Sequence, residues 1–157
     1  MKVLIATDGS SWSHQAVRRA ASLLPLADAE VHLVSIAEVV ALIALGEFPL
    51  GGASAAREQS LARTETDARQ AASILEERGI RLSVHTRHGE PAEEIVALAN
   101  ELGVDIIVLG SHEKNSLERL FIGSISDAVL RKWSGATVVI HPQVDEGKRG
   151  DPPQSGV

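Results

Sequence analysis

Residues 103–112 read Gly-Val-Asp-Ile-Ile-Val-Leu-Gly-Ser-His. The apolar run from Asp105 to Leu109 shows no alternation of polar and apolar positions. A strand with one face in water alternates; an unbroken run fits a strand covered on both faces, as in a parallel sheet between helices. Gly103 and Gly110 punctuate the run at either end. Upstream, Pro91 opens a helical pattern in which Ile95, Leu98, Ala99 and Leu102 recur at i, i+3, i+4 and i+7, and Gly103 closes it. Residues 91–109 therefore read as a helix delivering the chain into a buried strand.

The same alternation extends outward in both directions. Val3 to Thr7 and Val31 to Ile36 read as strands. Between them Ser10 or Ser11 caps a helix with Trp12, Ala16, Ala20, Leu23 and Leu24 on one face, ended by Pro25. Ala56 to Arg78 is a long helix with Leu61, Ala68 and Leu75 in line and Thr64 and Ala71 between them; Gly79 stops it. Leu82 to Thr86 is a third strand, Ser124 to Trp133 a last helix and Thr137 to Ile140 a last strand. Strands alternating with helices imply an α/β fold with parallel pairing and right-handed crossovers, which places helices on both faces of an open sheet.

The reading places one domain at residues 1–142 and a disordered tail at 143–157, which is rich in proline, glycine and charge. The segment from Glu38 to Ala55 is long for a connection; its apolar residues and Gly46, Pro49, Gly51 and Gly52 suit a lid, a partner surface or a mobile segment. Its most apolar part, Val39 to Leu45, is too short to span a membrane, and the N-terminal residues do not read as a signal peptide, so the expected location is the cytoplasm. The chain carries a net charge of −6 with scattered Lys and Arg and only 3% aromatic residues, which argues against a nucleic-acid partner. With no cysteine there is no disulfide, thiolate metal site or cysteine nucleophile.

In an open parallel sheet, ligands bind beyond the carboxyl ends of the strands. Two segments fall there: Thr7-Asp8-Gly9-Ser10, and Gly110-Ser111-His112-Glu113, which runs on to Gly123-Ser124 at a helix start. Glycines permit positive φ and close approach of backbone to a ligand, and the unpaired amides of a helix N-terminus favour an anion. Taken alone, Gly110 is a turn residue and Ser124 an N-cap completed by Asp127. Together, two glycine turns at a strand end and a helix start suit a phosphate chain. Asp8, Ser10 and His14 are better read as a capping serine beside a surface histidine than as a catalytic set, and His85 and His88 lack a matching metal-ligand set. The P-loop and dinucleotide glycine fingerprints are absent, and no general base for efficient hydrolysis is evident.

These motifs resemble the universal stress protein family of the UspA type. Its members open with a strand ending in Asp-Gly-Ser, and later carry a glycine, two residues, a second glycine, nine residues and then Gly-Ser. The similarity runs from Lys2 to Pro142 and includes Gly89-Glu90-Pro91. It implies a five-stranded parallel sheet of order 3-2-1-4-5, a homodimer formed through Thr137 to Ile140, and bound ATP or AMP, with or without Mg²⁺. By resemblance, Thr7 and Asp8 lie at the ribose or a phosphate-side metal, and the backbone of Ile36 meets the adenine. Gly110, Ser111, Gly123, Ser124 and the amide of Ile125 hold ribose and phosphates, and His112 stands at the mouth. Glu113 occupies the place of the second glycine. A carboxylate turned inward would repel phosphate; turned outward, it leaves the cradle intact. Two functions follow. One is a nucleotide-binding stress-response module with at most slow ATPase activity. The other is a protein–protein scaffold that has lost the nucleotide and uses the segment from Glu38 to Ala55 as its partner surface.

Overall fold

The computed structural model describes residues 1–37, 52–111 and 123–141. In chain order they form β1 (Lys2–Thr7), α1 (Ser11–Leu23), a 3₁₀ turn (Leu26–Asp28), β2 (Glu30–Ala37), α2 (Gly52–Glu76), β3 (Leu82–His88), α3 (Pro91–Leu102), β4 (Ile106–Gly110), α4 (Ser124–Lys132) and β5 (Ala136–Ile140). All five strands are parallel, in the order β3-β2-β1-β4-β5. The expected fold class and strand order are those observed. Calls on the tail, on Val39 to Leu45 and on most of the segment from Glu38 to Ala55 lie outside the described residues. No helix among the described residues is long and apolar enough to cross a membrane.

Successive strand residues point to opposite faces, and β1 shows the result. Val3 and Ile5 join one core with Ala16, Val17 and Ala20 of α1 and Ala68, Ala71 and Leu75 of α2. Leu4 joins the other, with Ile95, Leu98 and Ala99 of α3 and Val129 of α4. Both cores draw on β4, through Val108 and through Ile107 and Leu109. The unbroken run in β4 is thus explained by burial on both sides.

Three sequence expectations need correction. The long helix spans Gly52–Glu76, so it starts within the segment expected as a connection and ends before Arg78. The buried stripe of α1 is Ser13, Ala16, Val17 and Ala20, whereas Trp12 and Leu23 are 36% and 64% exposed. The stripe is made of small residues because the helix lies close to the sheet, where a tryptophan has no room. The third strand runs to His88, two residues past its expected end, because Arg87 and His88 pair in register with Ile36 and Ala37. It is an edge strand, so its side chains need not follow an apolar pattern.

Helix ends follow local chemistry. Ser10 caps α1 by accepting from the Ser13 amide at 3.1 Å. Gly103 ends α3 in the left-handed conformation with φ of 62°. A Gly103→Ala variant is expected to lose about 1 kcal/mol in urea unfolding, since an added Cβ meets nothing within 4 Å and only the backbone conformation opposes it.

Candidate functional site

Strand order reverses between β1 and β4: the chain from β1 runs to β2 on one side, and β4 lies on the other. A cleft opens at that point, beyond the carboxyl ends of both strands. Counting the space open to solvent, it spans about 790 Å³. Thr7 and Asp8 come from the end of β1, Ile36 from β2, Gly110 and Ser111 from the end of β4, and Gly123, Ser124 and Ile125 from the start of α4. Eight of the nine site residues named from sequence thus meet in one cleft; the ninth, His112, lies outside the described residues, as does Glu113.

Ser13, Ser126, Trp12, Pro91 and Ile95 also line the cleft and were not singled out. For Ser13 the signal was its spacing of three from the capping Ser10. For Ser126 it was the Gly-Ser-Ile-Ser run at a helix start. Trp12 shares helical spacing with Ala16, but its place directly after the strand-end turn puts it at the cleft.

Glycine serves differently at each turn. Gly9 has φ of 73° and lies against α2, where an added Cβ would sit 2.4 Å from the Asp67 carboxylate carbon. Gly110 is not in a positive-φ conformation. It is small because an added Cβ would come 3.0 Å from the Ala16 methyl of α1. Gly123, with φ of −54°, is itself the N-cap of α4 and makes no side-chain capping bond. Ser124 is therefore the first residue of α4 and not its cap. Asp127 completes no capping box; its carboxylate accepts from Arg131 at 2.9 Å. Gly123 offers no capping side chain, so the first amides of α4, which begins at the cleft, lack a side-chain cap among the described residues.

The β1 turn is a web of short-range bonds. The Asp8 carboxylate accepts from the Ser10 amide at 2.9 Å. Burial pushes the Asp8 carboxyl up, but the hydrogen bonds from the Ser10 side chain and amide, from Ser13 and from its own amide outweigh it. The net result lies below the usual carboxylate value, so Asp8 is ionised at neutral pH. Ser13 Oγ donates to the Ser10 carbonyl at 3.0 Å and lies 2.9 Å from Thr7 Oγ1, which accepts from the Gly9 amide at 3.3 Å. On β4, the Ser111 amide donates to the Ile140 carbonyl at 3.0 Å, and Ser111 Oγ lies 2.6 Å from His141 Nδ1.

His32, His85 and His88 do not line the cleft. His85 is within 3.1 Å of His32, which contacts Glu30 at 3.2 Å, and burial followed by the neighbouring His32 holds the His85 imidazole below its usual value. His88 contacts Arg57 of α2. Among the described residues, no group of three or more His, Asp or Glu is placed to hold a metal ion.

A family model described as the universal stress protein family matches residues 1–141. The universal stress protein MJ0531 of Methanocaldococcus jannaschii is 30% identical over 140 residues, covering 88% of this chain and 81% of that protein. Among solved structures, MJ0577 of the same organism superposes with a TM-score of 0.74 at 27% identity, over 90% of this chain and 96% of that one. The universal stress protein of Archaeoglobus fulgidus, solved in complex with dAMP, superposes with a TM-score of 0.64 at 22% identity, over 88% and 96% of the two chains.

Proposed function

We propose that this chain, which belongs to the universal stress protein family, binds an adenine nucleotide, ATP or AMP, in the β1–β4 cleft and acts as a nucleotide-dependent stress-response module. One observation carries the reading. The cleft is lined both by the Asp8 carboxylate at the end of β1 and by the first turn of α4, which no side chain caps among the described residues. That polarity matches a nucleotide, whose sugar hydroxyls donate and whose phosphate oxygens accept. Ile36, Pro91 and Ile95 supply apolar lining suited to a base. The dAMP carried by the Archaeoglobus fulgidus relative supports the same ligand class.

Thr7 and Asp8 would lie at the ribose or a phosphate-side metal, the backbone at Ile36 would meet the adenine, and Gly110, Ser111, Gly123, Ser124 and the amide of Ile125 would hold ribose and phosphates, with His112 a further candidate. Where Mg²⁺ accompanies ATP, Asp8 is the carboxylate available to it. The function follows from binding, with at most slow hydrolysis. We extend the proposal to a homodimer joined along β5, which is a sheet edge.

Denaturing the purified protein and assaying the supernatant for adenine nucleotide tests the reading directly. Calorimetry with AMP and ATP is expected to give binding in the micromolar to millimolar range. Asp8→Ala is expected to weaken it by about tenfold to a hundredfold, the scale of hydrogen bonds to a charged group. No co-purified nucleotide together with no measurable heat from millimolar ATP would refute nucleotide binding. Stabilisation by nucleotide of Glu113→Gly, but not of the wild type, would instead favour the protein–protein scaffold.

A further inference from the structure

We propose that His141, the residue directly after β5, is a positioning residue that makes Ser111 a hydrogen-bond acceptor for a sugar hydroxyl of the bound nucleotide. The inference rests on nucleotide binding in the cleft and adds a determinant of which nucleotide is preferred.

A serine hydroxyl has one proton and two lone pairs. Ser111 is 2% exposed and lines the cleft, and its Oγ lies 2.6 Å from His141 Nδ1. An imidazole nitrogen is a stronger acceptor than a hydroxyl oxygen, so the short contact assigns the proton to Ser111 as donor and Nδ1 as acceptor. The remaining imidazole proton then sits on Nε2, and the residue is exposed. The His141 backbone is held in place from the other side, since Arg19 of α1 donates to its carbonyl at 2.6 Å. Ser111 therefore has no proton left for the ligand and offers lone pairs alone.

The neighbouring hydroxyls are in the same condition. The single Ser13 proton goes to the Ser10 carbonyl or the Asp8 carboxylate, which leaves Thr7 as the donor in the Thr7–Ser13 contact. Thr7, Ser13 and Ser111 thus give their protons to the protein, and Asp8 is a carboxylate. This floor of acceptors is matched by a ligand that brings hydroxyl protons. A ribose does so; a sugar stripped of both hydroxyls does not, and leaves the acceptors unpaired.

The test compares AMP with 2′,3′-dideoxy-AMP by calorimetry on the full chain. The wild type is expected to favour AMP by about tenfold or more. His141→Ala frees the Ser111 proton to rotate and is expected to shrink that preference about three- to tenfold. It should do so through weaker AMP binding, with dideoxy-AMP affinity and the thermal midpoint of the free protein unchanged. His141→Asn, whose amide oxygen can accept where Nδ1 does, is expected to restore the preference. Ser111→Ala is expected to lose at least as much of the preference, and adding His141→Ala to it should lose nothing further. Equal weakening of both ligands by His141→Ala, or a wild type without preference, overturns the inference and leaves nucleotide binding standing. A wild type that binds neither ligand overturns nucleotide binding, and the inference with it.

Discussion

Gly9→Ala is expected to destabilise the chain by about 2–4 kcal/mol and to disorder the ligand cleft with it. Two costs add at this position. The backbone is held at φ of 73°, which opposes any Cβ. The Cβ itself would sit 2.4 Å from the Asp67 carboxylate carbon and 2.6 Å from its Cβ. The turn cannot rotate away freely, because the Gly9 amide is bonded to Thr7 and the next amide to Asp8. Either α2 yields at Asp67 or the Asp8 carboxylate leaves its place. Urea unfolding measures the first, and nucleotide affinity at unchanged fold the second. Adding Asp67→Ala is expected to restore only part of the loss, since the Cβ of residue 67 stays in the way. A Gly9→Ala protein with wild-type stability and affinity would show that the tight approach is not maintained in solution.

Leu4→Ala is expected to cost about 3–5 kcal/mol. Leu4 is fully buried on the central strand β1, packed in the core shared with α3 and α4. Truncation leaves a cavity that neither a helix nor a sheet paired on both sides can collapse to fill. Domains of this size have total stabilities of roughly 5–15 kcal/mol, so the variant is expected to be marginal. The measurement is the urea midpoint, with the slope unchanged if the transition stays two-state. Because Pro91 and Ile95 of α3 line the cleft, loosening this core is also expected to weaken ligand binding. A loss under 1 kcal/mol would mean that the two helices do not pack on β1 as described.

The strands and the glycine turns were legible because their signals are local. The run from Ile106 to Leu109, the helix stop at Gly103 and the proline at Pro91 each act within a few residues, and the helix and strand that they bound formed where expected. The site was legible for the same reason: it lies at strand ends and a helix start, which sequence marks directly. What escaped notice depends on packing. Trp12 and Leu23 are apolar enough for a core, yet α1 buries Ser13, Ala16, Val17 and Ala20 instead, so its buried face is not the one its large apolar residues mark. Gly110 was read for its backbone freedom, but the constraint is the Ala16 methyl from a helix ninety residues earlier in the chain. His141 was invisible because its partner, Ser111, is brought to it only by the register of β4 against β5.

The displaced tryptophan has a practical consequence. The chain contains two tryptophans and no tyrosine. Trp12 borders the cleft, and Trp133 follows the last turn of α4 and packs against the α3–α4 core. Red-edge excitation therefore draws emission from these two indoles only. With Trp133 replaced by phenylalanine, the fluorescence of the protein would come from the rim of the cleft alone, giving a built-in optical signal for ligand arrival without any attached dye.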